Sequence, residues 1–169
     1  AINQYGAEKI RLFKLNGIEI GNEIPGPQLP EGVVGKMQWR NESELVFDFE
    51  SFKSPSQIYS FDFGNQKFET WVKNEVNPDL VNKVEDAKLI KWKSFDGREI
   101  SGFIAKSQDL SANRKLPVII DIHGGPKSQF QPEFEPFSCY FISELSIAKI
   151  FPNIRGSSGF GREFEDLDN

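Results

Sequence analysis

The residues best suited to chemistry lie in Pro117-Val118-Ile119-Ile120-Asp121-Ile122-His123-Gly124-Gly125-Pro126, an apolar strand pattern running straight into a glycine turn. At a strand exit, glycine lets a ligand approach the chain closely and leaves backbone N–H groups free to bind it. Pro126 carries no N–H, so the usable donors are those of Gly124 and Gly125. Two such donors aimed at one oxygen form an oxyanion hole, which stabilises the tetrahedral intermediate of acyl transfer. Losing one donor costs about a hundredfold or more in rate. The same Gly-Gly-Pro run also suffices for a tight turn without catalysis, and either reading accounts for these residues alone. A second strand-then-glycine unit follows at Ile150-Phe151-Pro152-Asn153-Ile154-Arg155-Gly156-Ser157-Ser158-Gly159-Phe160-Gly161.

Composition limits what can act at these turns. The 169 residues include one histidine, His123, so a mechanism needing a histidine base uses this residue or one from outside the chain. Cys139 is the sole cysteine, which excludes an intrachain disulfide and a cysteine-based zinc site. That fits a reducing compartment, and a cytoplasmic location is expected. The net charge of −5 offers no basic footprint for nucleic acid and no Lys/Arg cluster for an anionic membrane. Apolar runs fall far short of the roughly 20 residues of a membrane-spanning helix, and no signal-peptide pattern opens the chain. The start, Ala1-Ile2-Asn3-Gln4, lacks an initiator Met and reads as an internal cut. No cofactor or metal is expected.

The elements that must position the turns show two rhythms. In residues 1–84 short strands alternate with polar turns. Residues 10–15 and 18–20 flank Asn16-Gly17, a strong hairpin signal. Residues 21–32, with Pro25, Pro27 and Pro30, read as loop because proline removes ladder donors. Residues 35–39, 44–49, 57–63 and 67–72 then predict a four-stranded antiparallel meander. Such a meander is the unit of a β-propeller blade and equally of a sandwich or barrel. Phenylalanine is abundant, at 16 residues, which favours sheets with aromatic cross-strand pairs over a helical bundle.

Beyond a polar linker at 77–82 the rhythm changes. Residues 87–95 and 98–105 predict two strands joined at Asp96-Gly97, and 108–115 a polar loop. Residues 118–122 read as a strand buried on both faces. Residues 137–148 place Phe141, Ile142, Leu145 and Ala148 at helical spacing, and 149–154 form another buried strand. Strand, helix, strand is a βαβ unit, expected to be parallel and right-handed. The change near Val84 marks the expected boundary.

Three motifs occur in order: Ser94-Phe95-Asp96-Gly97-Arg98-Glu99-Ile100-Ser101-Gly102-Phe103, His123-Gly124-Gly125-Pro126 and Pro152-Asn153-Ile154-Arg155-Gly156-Ser157-Ser158-Gly159-Phe160-Gly161-Arg162-Glu163-Phe164. Together they resemble the prolyl oligopeptidase family of serine peptidases, especially its acylaminoacyl-peptidase-like branch. The match is densest over residues 88–164. The resemblance implies a mixed β and α/β fold: an antiparallel meander (β-propeller blade) over 1–84, then the N-terminal part of an α/β-hydrolase domain over 85–169. It implies a parent that hydrolyses peptide or acyl-peptide bonds of short peptides by Ser-His-Asp acyl transfer. It also implies that the Gly125 N–H is one oxyanion donor, the other coming from the residue after the nucleophilic serine. His123 is expected to orient that turn through its ring hydrogen bonds, and Gly124 is a further candidate site residue. Arg155 is expected to tie the glycine loop down through carboxylate or carbonyl hydrogen bonds, the alternative being contact with substrate or the active-site rim.

The chain also departs from the family pattern. The Gly-x-Ser-x-Gly elbow and the Asp and His of the triad are absent, so the 169-residue chain alone is expected to be inactive. The nearest imitation, Gly156-Ser157-Ser158-Gly159-Phe160, has Phe160 where the second glycine is required. Ser157 and Ser158 share the strand-end side with His123, but the chain order is wrong for a triad on this fold. Other readings are a carboxylesterase or lipase-type hydrolase, whose His-Gly-Gly turns commonly continue with Gly or Ala, and a non-catalytic hydrolase-like interaction module. Nucleotide binding is disfavoured, because Gly-x-x-Gly-x-Gly reverses the dinucleotide fingerprint. Glu133, Glu135, Asp166 and Asp168 read as solvated surface charge. The exposed edge of an incomplete sheet predicts self-association of the chain.

Overall fold

A computed structural model describes residues 1–21, 29–108, 115–125 and 127–168. The predicted loop residues Pro25 and Pro27, most of the loop at 108–115, and Pro126 lie outside the described residues. The first turn, Tyr5-Gly6, has both residues at positive φ, 58° and 93°, as a tight hairpin requires. It joins β1 (Ile2–Gln4) to β2 (Ala7–Lys9), a hairpin the sequence pattern did not announce. The expected Asn16-Gly17 turn follows, pairing β3 (Leu12–Phe13) with β4 (Glu19–Gly21).

The predicted meander forms as an antiparallel sheet of β5 (Gly32–Trp39), β6 (Glu44–Ser51), β7 (Ser54–Asp62) and β8 (Lys67–Val72), in sequence order. Alternation along β6 turns Leu45, Phe47 and Phe49 inward, where they pack with Val34, Tyr59 and Phe68. β7 opens with Ser54-Pro55, ahead of the predicted start at residue 57. Short helix α1 (Pro78–Val81) follows, with the Asn77 side chain accepting from the Asp79 N–H at 3.0 Å.

The second sheet contains β9 (Lys88–Lys93), β10 (Glu99–Ala105), β11 (Val118–Ile120) and β12 (Ala148–Asn153) in the order β11-β12-β10-β9. β11 and β12 are parallel and connected through α2 (Pro136–Leu145), the expected βαβ unit; the other pairings are antiparallel. Helix α2 is shorter than the predicted 137–148. Ser146 adopts a left-handed C-cap at φ 53°, and Ala148 already belongs to β12. Gly102 lets β10 and β12 meet, since a Cβ there would come 2.6 Å from the Phe151 carbonyl oxygen. Helix α3 (Arg162–Glu165) and a 3₁₀ turn (Asp166–Asp168) close the described chain.

The main core joins both halves of the sequence. Phe52, from the turn between β6 and β7, packs with Phe103, Ala105, Cys139, Ile142 and Phe151. Its carbonyl accepts the Glu135 N–H at 3.1 Å. Burial pushes the Cys139 thiol up to about 11, so it remains a protonated, apolar-like side chain.

A further expectation fails. The strand at 118–122 was predicted to be buried on both faces, yet Val118, Ile119 and Ile120 are 51%, 36% and 62% exposed. The reason is position: β11 is the edge strand, paired only with β12. β12 lies between two strands and is buried along most of its length, as predicted. The fold is thus mixed, with mainly antiparallel sheets and few helices. Among the described residues, no helix is long and apolar enough to cross a membrane.

Candidate functional site

The turn after β11 and the loop after β12 emerge at the same end of the sheet, because the two strands are parallel. They meet through His123. Its Nδ1 lies 3.1 Å from the Gly124 carbonyl oxygen, and its Nε2 lies 2.8 Å from Ser157 Oγ. A carbonyl only accepts, so Nδ1 carries the hydrogen and donates to it. In the neutral ring Nε2 then accepts from the Ser157 hydroxyl. The Gly124 carbonyl therefore selects the tautomer, and the Ser157 hydroxyl complements it by donating to Nε2.

This hydrogen-bond chain fixes more than a ring. The Gly124 carbonyl and the Gly125 N–H belong to one planar trans peptide and point in opposite directions. Anchoring the carbonyl on His123 consequently aims the Gly125 N–H away from the ring. Gly125 has φ 130°, which favours glycine, and both Gly124 and Gly125 are exposed. Ser157 is fully buried, so its hydroxyl is placed to support His123 rather than to meet a substrate. Ser158 turns its N–H to the Ser128 carbonyl at 2.9 Å.

The glycine loop is pinned from two further sides. Arg155 donates to Ser94 Oγ at 2.9 Å and to Asp96 Oδ1 at 2.5 Å, and its guanidinium lies 4.7 Å from the centre of the Phe95 ring. Arg155, and after it the Arg98 N–H, hold the Asp96 carboxyl below the usual range. Arg98 itself places two nitrogens 3.1 Å from Glu163 Oε1. The tip of the β9–β10 hairpin and the loop after β12 thus form one clamp. From the other side, the β1–β2 hairpin contributes Asn3 Nδ2 to Gln129 Oε1 at 3.2 Å, and Tyr5 packs against Phe160.

The sequence pattern overlooked Asn153. Fully buried at the end of β12, it accepts the Phe130 N–H at 2.7 Å and donates to the Phe130 carbonyl at 3.2 Å. Its signal was a lone amide closing an apolar strand. Ser157, weighed beside His123 only as a nucleophile for that base, is instead its buried hydrogen-bond partner. Glu133, Glu135 and Asp166 are exposed, as expected of surface charge; the Asp168 side chain lies outside the description. Among the described residues, no group of acidic, histidine or cysteine side chains could hold a metal ion.

The chain is similar to known proteins in sequence and in fold. No family model matches the chain. Prolyl endopeptidase of Elizabethkingia miricola is 27% identical over 144 residues, which are 85% of this chain and 20% of that protein. Prolyl oligopeptidase ophP of Omphalotus olearius is 25% identical over 127 residues, 74% of this chain and 17% of its own length. Over most of its length the chain is thus similar to prolyl oligopeptidases and related peptidases. Among solved structures, prolyl oligopeptidase B from Galerina marginata matches 96% of the chain and 23% of its own with a TM-score of 0.77 at 21% identity. A puromycin hydrolase matches 96% and 24% with a TM-score of 0.72 at 22% identity. At these identities the structural likeness speaks for the fold. The chain spans about a fifth of the length of the curated relatives it matches.

Proposed function

We propose that this segment supplies the oxyanion turn of a serine peptidase that cleaves peptide or acyl-peptide bonds of short peptides by acylation and deacylation. In this reading the Gly125 N–H is one of two donors to the tetrahedral intermediate. The second comes from the residue after the nucleophilic serine, and that serine, with its Asp and His partners, is supplied by sequence beyond residue 169. The observation that carries the reading is the chain from Ser157 hydroxyl to His123 to the Gly124 carbonyl, which sets the peptide plane of the Gly125 N–H before any substrate arrives. Preorganised donors of this kind are effective because they need no reorientation during the reaction. Family relatives named as prolyl endopeptidase and prolyl oligopeptidase support the peptidase assignment. We place residues 1–84 in the last part of a propeller, residues 85–169 at the start of the hydrolase domain, and the protein in the cytoplasm. The acylaminoacyl-peptidase-like branch is the one to which the motifs point.

The test uses the longer protein that carries this segment. A fluorophosphonate probe should label one serine downstream of residue 169, and the protein should hydrolyse short peptide or N-acyl-peptide substrates. The 169-residue chain should remain unlabelled. Labelling of Ser157 or Ser158, or a longer protein with neither labelling nor peptide hydrolysis, overturns the assignment.

A further inference from the structure

A lysine inside a sheet is unusual, and β12 contains one. Lys149 is 7% exposed, with its ammonium 2.6 Å from Asp121 Oδ2, 2.8 Å from Ser138 Oγ and 4.9 Å from the centre of the Phe151 ring. Removing a charge from water is costly unless specific partners replace the lost hydration, so this residue demands an explanation. Ser138 is fully buried on α2. Its contact with Lys149 is therefore a tether and not an accessible nucleophile–base pair. Asp121 differs: its side chain is half-exposed, and it sits directly after β11, two residues ahead of His123. Its own N–H is bound to the Ile150 carbonyl at 2.8 Å, so both its backbone and its side chain are held by β12.

We propose that Lys149, acting through Asp121, is a positioning residue for the oxyanion turn. It fixes where the backbone leaves β11, and so whether the His123 ring reaches Ser157 and the Gly124 carbonyl together. β11 pairs on one side only, which leaves its exit dependent on such a side-chain anchor. The catalytic consequence rests on the reading of Gly125 as an oxyanion donor; the structural coupling does not.

His123 is the sole histidine, so its ring ¹⁵N signals in the 169-residue chain are unambiguous. The wild-type ring should show the tautomer protonated at Nδ1, and Ser157→Ala should weaken that preference. Lys149→Met and Asp121→Asn should each shift the ring towards the tautomer protonated at Nε2, with Lys149→Arg restoring most of the wild-type signal. Combining the Met and Asn changes should add little to either alone, as expected of two residues in one path. Asp121→Asn keeps the Lys149–Ser138 contact and supplies the answer should Lys149→Met fail to fold. In the longer protein, the same substitutions should lower kcat about tenfold or more while KM stays nearly constant. Folded variants that keep the Nδ1–H signal and full kcat would reduce Lys149 to a core anchor and overturn the proposal. The ring readout needs no activity. Tautomer loss supports the coupling even in a protein that hydrolyses nothing, a result that would instead sink the peptidase reading.

Discussion

β11 and β12 are neighbours in one sheet, parallel, apolar and joined by a single helix, yet one is open to solvent and the other is buried. Their composition does not explain the difference. β12 has a strand on each side, and its Phe151 stacks on Phe130 at 4.1 Å and packs edge-on against Phe52. β11 has one neighbour, and its apolar side chains have no comparable cover among the described residues. Apolar content states what a strand needs; only topology decides whether the need is met. The His123–Gly125 turn follows the exposed strand, whereas its anchors come mostly from the buried one.

The sharpest test of this contrast is to cut equally into both strands. Phe151→Ala should cost about 3–5 kcal/mol, read from urea unfolding, because it empties a packed aromatic site. Ile120→Ala, at a residue 62% exposed, should cost well under about 1 kcal/mol in the same assay. Similar losses at both positions would mean that β11 is covered in solution.

A second, smaller effect concerns the clamp on the loop after β12. Asp96 has a folded-state pKa depressed by Arg155, so its stabilising contact is present above the ordinary carboxylate range. That contribution is lost as pH falls through the depressed value. Arg155→Met should return Asp96 towards its ordinary titration, measurable from the side-chain carboxyl ¹³C shift. An unchanged Asp96 titration would show that the Arg98 N–H alone suffices.

The smallest expected effect on stability is also informative about the edge. Ile120→Lys should alter stability by no more than about 0.5 kcal/mol. It should nevertheless reduce concentration-dependent association in sedimentation, since a charge on an edge strand opposes pairing with another chain. Equal association of both proteins would argue against edge-to-edge contact.

How far the sequence could be read follows from the range of the forces involved. Asn16-Gly17 and Asp96-Gly97 announce their hairpins because turn conformation is decided by adjacent residues. Alternation exposed the meander strands for the same local reason. The Tyr5-Gly6 hairpin was missed because its strands are only three residues each, too short for a periodic signal. At the site, His123, Gly124 and Gly125 were legible by type and order. The bond from Ser157 to His123 joins residues 34 apart and depends on strand order, which no spacing rule encodes. Lys149 was hidden in the same way, since on paper it interrupts an apolar run. The exposure of β11 was misjudged because burial depends on neighbours that a local pattern does not specify.

Asn153 and Lys149 lie on the same face of β12, four residues apart, and reach opposite ends of the segment 121–130. At roughly 3.3 Å per residue the strand sets these two anchors about 13 Å apart, like marks on a ruler. The segment between them is therefore a loop of fixed span. Tolerance to length change should be lopsided. An extra residue within 122–129 would keep both anchors and merely re-aim the Gly125 N–H. An extra residue between Lys149 and Asn153 would turn one of them to the opposite face and unfasten that end of the loop altogether.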